Sequence, residues 1–125
     1  MLTKLYGSAV FGISAVTITI EVYIALGIGY HLVGMPDNAV KESHYRIAAA
    51  LLNNGYRIPG KKITINMAPA ALKKEGAAYD LTLAFGILLA SSQLKGVDSK
   101  DYLIMGELSL DGSILPVKGV LAMAI

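Results

Sequence analysis

The chain has no cysteine and no tryptophan, and only two histidines, His31 and His44, among its 125 residues. Without thiols there can be neither a disulfide scaffold nor a Cys-ligated zinc or iron–sulfur centre, and two histidines are too few for a multi-histidine metal site. A surplus of charge is also missing. Eleven basic residues against nine acidic ones leave a formal charge of +2, far short of the bias of a dedicated nucleic-acid binder, so charge alone does not point to DNA. Nor is there a run suited to a bilayer. Leu5 to Ile20 carries no charge, but Gly7, Gly12 and several hydroxyl residues interrupt it. From Ala15 onward Val16, Ile18, Ile20 and Val22 alternate with Thr17, Thr19 and Glu21, the period of a half-buried strand rather than of a spanning helix. Lys4 is the only early cation and no small-x-small cleavage site follows an unbroken apolar core, so a signal peptide is not expected. The expectation is a soluble, cytoplasmic protein with no membrane partner.

What is abundant is apolar surface: 54% of the residues are hydrophobic and 16% charged. That is too apolar for disorder, and the length suits one domain, residues 1–125. Leu2 to Phe11 and Ser14 to Ala25 read as strands joined at Gly12-Ile13, with a third from Gly29 to Val33; three early strands suggest an antiparallel meander. Asp37, after Met35-Pro36, is placed to cap a helix from Asn38 to about Asn54, closed by Gly55. Val40, His44, Ile47 and Leu51 form its apolar stripe, and Glu42 and Arg46 an i,i+4 pair on a more exposed side. Lys61 to Met67 alternates as the next strand and Pro69 stops it. After a loop from Ala70 to Ala78, Tyr79 to Leu94 is apolar on most faces, a buried helix in which Gly86 permits close approach. Tyr102 to Met105 reads as a strand, and Asp111-Gly112 as the turn of a hairpin between Leu108-Ser109-Leu110 and Ile114-Leu115. Val117 to Ile125 begins an apolar, helix-like segment that stops without a cap, so the 125 residues are expected to be the amino-terminal piece of a longer polypeptide.

Gly55 to Lys62 nearly fits the phosphate-loop pattern, but Lys62 stands where the magnesium-binding hydroxyl is required, and the segment leaves a helix and enters a strand. A phosphate loop runs the other way, so that helix N-terminal amides face the phosphates. A plain turn is therefore expected. Each histidine reads as a satisfied core or boundary residue rather than a ligand. Lys61-Lys62, Lys73-Lys74, Lys41, Arg46 and Arg57 would give salt-dependent, sequence-independent phosphate contacts if they converged into one patch.

The most distinctive segment is Lys73-Lys74-Glu75-Gly76-Ala77-Ala78-Tyr79-Asp80. Together with Leu32-Val33-Gly34-Met35-Pro36-Asp37, Ala39 to Ser43, Ile63 to Ala70, Gly106 to Gly112 and Leu115-Pro116-Val117-Lys118-Gly119, it resembles in order and spacing the amino-terminal domain of magnesium-chelatase-like AAA+ ATPases of the ComM/YifB type. One departure is Ala71, where that family usually has an aspartate. The resemblance implies an α+β fold, a two-layer sandwich of the ribosomal protein S5 domain 2-like, Lon-proteolytic-domain-like kind, with a mixed sheet and two main helices. In Lon-like peptidases a serine before the buried helix is activated by a lysine after the downstream hairpin. The matching positions here are Ala78 and Leu121, with Lys118 one turn earlier, so the resemblance implies no peptidase dyad. It further implies a non-catalytic domain that binds no cofactor itself, attached to an AAA+ core that holds Mg-ATP and forms a homo-hexamer. In the ComM branch such a protein drives DNA branch migration during natural transformation. Lys73, Lys74, Glu75, Gly76, Asp80 and Lys118 are then the candidate surface for DNA or a protein partner. A magnesium-chelatase motor subunit and a stand-alone interaction module are the alternatives.

Overall fold

A computed structural model describes residues 1–11, 14–99 and 102–115. In chain order the elements are β1 (Leu2–Phe11), β2 (Ser14–Ala25), β3 (Gly29–Val33), α1 (Asn38–Leu52), β4 (Lys62–Ala68), α2 (Asp80–Ala90), β5 (Glu107–Leu108) and β6 (Ile114–Leu115). The first four strands make a mixed sheet in the order β1-β2-β4-β3, and β5 and β6 form a separate two-stranded hairpin. The architecture is α+β, one sheet carrying two helices.

The alternating pattern explains the layering. β1 and β2 pair antiparallel with Leu5 opposite Ile20, and β2 pairs with β4 so that Val22 faces Ile65 and Ile20 faces Met67. Because side chains alternate across a strand, this register puts all of these residues on one face. Leu5, Ile20, Val22, Ile65 and Met67 are fully enclosed there with Val40 and Ile47 of α1 and Leu83 and Ile87 of α2. Gly86 shows how close the layers come: a Cβ built on it would lie 2.5 Å from Val22 Cγ2 and 2.8 Å from Leu5 Cδ1.

The expected meander is corrected in one respect. β1 and β2 are a hairpin, but β3 is not next to β2; it pairs parallel with β4, which fills the slot between them. Parallel neighbours need a crossover of a dozen or more residues, and α1 supplies it. Alternation reveals which face of a strand is buried but not which strand lies beside it. Tyr102 to Met105 is not a strand either. Leu103 makes a single parallel bridge to Tyr6, and the neighbouring backbone groups are shared out: Ile104 N–H to Tyr6 O (2.9 Å), Gly106 N–H to Ala78 O (2.7 Å), and Ile104 O to the Thr82 hydroxyl.

Helix ends also differ from expectation. Asp37 caps α1 as expected, its Oδ1 accepting from Val40 N–H at 2.8 Å. α2 stops at Ala90 rather than Leu94, because Gln93 and Leu94 both turn their N–H groups back to Leu88 O and Ser92 takes a left-handed φ of 62°. The hairpin turn spans Ser109 to Ser113 rather than two residues, with Ser109 N–H bonded to Ser113 O and Asp111 Oδ1 accepting from Ser113 N–H. Among the described residues no helix is long and apolar enough to cross a membrane. Gly55 to Lys62 leaves α1 and enters β4, the direction opposite to a phosphate loop.

Candidate functional site

The segment singled out in the sequence, Lys73 to Asp80, is fastened to the junction between β3 and α1. Met35-Pro36-Asp37 and Lys74 lie side by side: Lys74 N–H donates to Met35 O (3.0 Å) and Asp37 N–H to Lys74 O (2.9 Å). Asp37 does double duty, since its Oδ2 accepts from Gly76 N–H at 3.1 Å while Oδ1 caps the helix. One short side chain thus ties the start of α1 to the loop that leads into α2.

Lys74 goes inward. Its side chain is fully buried and Nζ donates to Gly34 O at 2.6 Å and to Pro69 O. Among the described residues no carboxylate lies within ion-pair distance of it, so two carbonyl dipoles take the place of a counter-ion. Burial pushes its pKa down, because desolvation penalises the ammonium. Gly34 has to be glycine for this to work. Its φ is +111°, and a Cβ there would sit 2.1 Å from Met67 O.

Asp80, the first residue of α2, is also fully buried. Its carboxylate accepts from Arg46 Nε at 2.6 Å and Nη2 at 2.9 Å, and from Leu108 N–H at 3.1 Å. Arg46 Nη2 further donates to Ala39 O at 2.7 Å, whereas Glu42 is 3.9 Å away. The i,i+4 pair expected on α1 is therefore the weaker half of Arg46's bonding. The bidentate pair to Asp80 joins α1, α2 and β5, and it raises the guanidinium pKa through the Asp80 hydrogen bond.

The expected surface is accordingly reduced. Lys74 and Asp80 are interior, a correction to their reading as surface groups. Lys73 and Glu75 remain exposed, paired with each other at 3.6 Å, so the tip of the loop displays a neutralised pair. Gly76 gives its N–H to Asp37. Ala78 accepts from Gly106 N–H through its carbonyl. Lys118 and Leu121 lie outside the described residues. Next to Ala78, Tyr79 is buried with its hydroxyl donating to Ser8 O at 3.0 Å, and burial pushes its pKa up to about 12. His44 stacks on Tyr30, ring centroids 4.1 Å apart and 8° from parallel. Among the described residues there is no group of three histidine, aspartate or glutamate side chains placed to hold a metal ion.

The basic residues do not converge either. Lys73 and Lys74 stand beyond the end of β4, and Lys61-Lys62 at its start with Arg57 shortly before. Seven extended residues separate the two groups by roughly 20 Å. Two features had no signal in the sequence. The Arg46–Asp80 pair depends on two residues 34 positions apart, and the Gly34 carbonyl cage on a strand order that alternation does not encode.

The fold and this fastened loop define an α+β domain whose charged loop is built largely inward. Comparison with known proteins then supplies the family. Residues 20–125 match the family described as subunit ChlI of Mg-chelatase, and the chain belongs to that family. It is 44% identical over 124 residues to the uncharacterized protein YifB of Escherichia coli, covering 98% of this chain and 24% of the relative. It is 43% identical over 121 residues to the competence protein ComM of Haemophilus influenzae, covering 96% and 24%. An uncharacterized protein of Mycobacterium tuberculosis, Rv2897c, is 40% identical over 121 residues, again covering 96% and 24%. The chain thus spans about a quarter of the length of these relatives.

Proposed function

We propose that this chain is the non-catalytic amino-terminal domain of a magnesium-chelatase-like AAA+ ATPase of the ComM and YifB kind, acting in ring assembly. The rest of such a cytoplasmic protein would carry the Mg-ATP site and the hexamer-forming core, and would drive DNA branch migration in natural transformation. The observation that carries this reading is likeness at 43% and 44% identity over nearly the whole chain to proteins about four times as long, one of them named for competence. Alanine at 78 supports the non-catalytic part, since a methyl group supplies no nucleophile. The exposed end of the loop favours assembly over DNA, because Lys73 paired with Glu75 suits a polar contact with a neighbouring subunit better than a phosphate backbone.

The test uses the complete polypeptide. Sedimentation with ATP should give a hexamer that Lys73→Glu/Glu75→Lys weakens, with a parallel fall in branch migration on forked DNA. Full assembly and activity in that variant would contradict the assembly role. Peptide hydrolysis abolished by Ser91→Ala or Ser92→Ala would contradict the non-catalytic assignment. The family's description supports a second reading, a motor subunit for magnesium insertion into a porphyrin, which an insertion assay with the partner subunits distinguishes.

A further inference from the structure

At the start of β4, far from the fastened loop, the surface opens into a cleft of ≈ 590 Å³ whose polar lining includes Arg57, Lys61, Ser91, Ser92 and Gln93. We propose that this cleft binds a phosphate group. Three observations support the assignment, and it does not depend on which ATPase carries the domain.

The first is charge. The cleft has two cationic side chains in its wall and no carboxylate. Among the described residues neither Arg57 nor Lys61 has an ion-pair partner, in contrast to Arg46 with Asp80 and Lys73 with Glu75. Its volume lies within the range of roughly 300–1,000 Å³ usual for small-molecule sites.

The second is rigidity. Gln93 grips the Arg57 backbone on both sides, Oε1 accepting from Arg57 N–H at 3.0 Å and Nε2 donating to Arg57 O at 2.7 Å, and Nε2 also reaches Ser91 Oγ at 2.8 Å. A loop carrying an arginine is thereby fixed to the end of α2. A side-chain amide that holds this backbone unit on both sides fixes the point from which the exposed Arg57 side chain leaves the loop.

The third answers an electrostatic objection. The C-terminus of a helix is its negative end and repels anions through its unsatisfied carbonyls. Here the carbonyls of Ile87, Leu88 and Leu89 are occupied, by Ser91 N–H, by Gln93 and Leu94 N–H, and by Ser92 N–H in turn, which leaves that of Ala90. Beside Ala90 the cleft is lined by Ser91, whose hydroxyl is bonded to Leu88 O and Gln93 Nε2, and by Ser92, whose hydroxyl makes a 3.7 Å contact to Met1 Sδ. A planar guanidinium, an ammonium and a hydroxyl free to turn together offer more donors than the two oxygens of a carboxylate can accept, and they match the oxygens of a phosphate.

The phosphate can belong to a small phosphorylated molecule or to a phosphodiester backbone, and the experiment distinguishes them. The complete polypeptide is titrated with inorganic phosphate by calorimetry, and a fluorescent oligothymidylate is followed by anisotropy over a salt series. Wild type is compared with Arg57→Gln/Lys61→Gln, with Arg57→Lys, and with Lys41→Gln, on the exposed side of α1, as a control outside the cleft. A loss of at least tenfold in phosphate affinity in the double variant, with Arg57→Lys intermediate because an ammonium replaces the planar fork and Lys41→Gln close to wild type, supports the site. If oligothymidylate binding falls in parallel and its log–log salt slope drops by about 1.4, for two lost contacts to a single strand, the ligand is a phosphodiester. If oligothymidylate binding is unchanged, it is a small phosphate. The proposal is overturned if the double variant, with its unfolding midpoint unchanged, binds both probes as wild type does, or if acetate is bound as well as phosphate.

Discussion

Lys61-Lys62 and Lys73-Lys74 look alike as sequence, yet they sit at opposite ends of β4 and do different things. At the far end one lysine, Lys74, enters the interior and supplies hydrogen bonds to Gly34 O and Pro69 O, while its neighbour Lys73 is neutralised by Glu75. At the near end Lys61 and Arg57 border an open cleft with no carboxylate in its lining. A lysine is thus a structural donor or an available cation according to where the chain places carbonyls and carboxylates around it. Charge counted along the sequence cannot distinguish the two.

The largest effect that bears on this contrast is expected from Asp80→Ala, which removes the partner of the partly exposed Arg46 guanidinium and of the buried Leu108 N–H. Each hydrogen bond lost to the charged carboxylate costs about 1.5–3 kcal/mol, to be read together as a lower denaturant midpoint. Next comes Lys74→Met. Leaving the part-buried Gly34 and Pro69 carbonyls without their donor should cost about 1–3 kcal/mol, whereas Lys61→Met at the other end should stay within about 0.5 kcal/mol. Equal losses in the two methionine variants would erase the distinction between the ends. Gly86→Ala should cost about 1–3 kcal/mol, since the added carbon meets Val22 and Leu5 inside contact distance, and it serves as a core reference independent of charge.

A smaller, pH-dependent effect follows from Tyr79. Its folded pKa, about 12, is above the ordinary phenol value of 10, so between those values the folded state holds a proton that the unfolded chain has released. Its contribution to stability is therefore complete below pH 10 and is lost as pH rises towards 12. Tyr79→Phe should flatten the alkaline fall in unfolding midpoint over that window.

Much of the fold was legible because alternation and caps are local. Ile18, Ile20 and Val22 revealed the buried face of β2, although Val16 of the same parity is exposed; Asp37 revealed the start of α1, and Gly86 the close approach of α2. The strand order was not, since β3 and β4 become neighbours only through the α1 crossover, and Tyr102 to Met105 has the composition of a strand while its backbone hydrogen bonds go to Ser99, Tyr6 and Thr82 instead. The Lys73 to Asp80 segment stood out by its residues, but its inward build did not, because the acceptors for Lys74 come from Gly34 and Pro69 and the partner of Asp80 comes from α1. The cleft at Arg57 had no local signature. Gln93 reaches it from 36 positions away.

The contrast between the two lysine pairs is tested most directly by brief acetylation of the native protein, with each lysine read by mass spectrometry. Lys61, Lys62 and Lys73 should label readily, and Lys74 only once the protein is unfolded. Labelling of Lys74 in the native state at the rate of Lys73 would contradict its role as an internal donor.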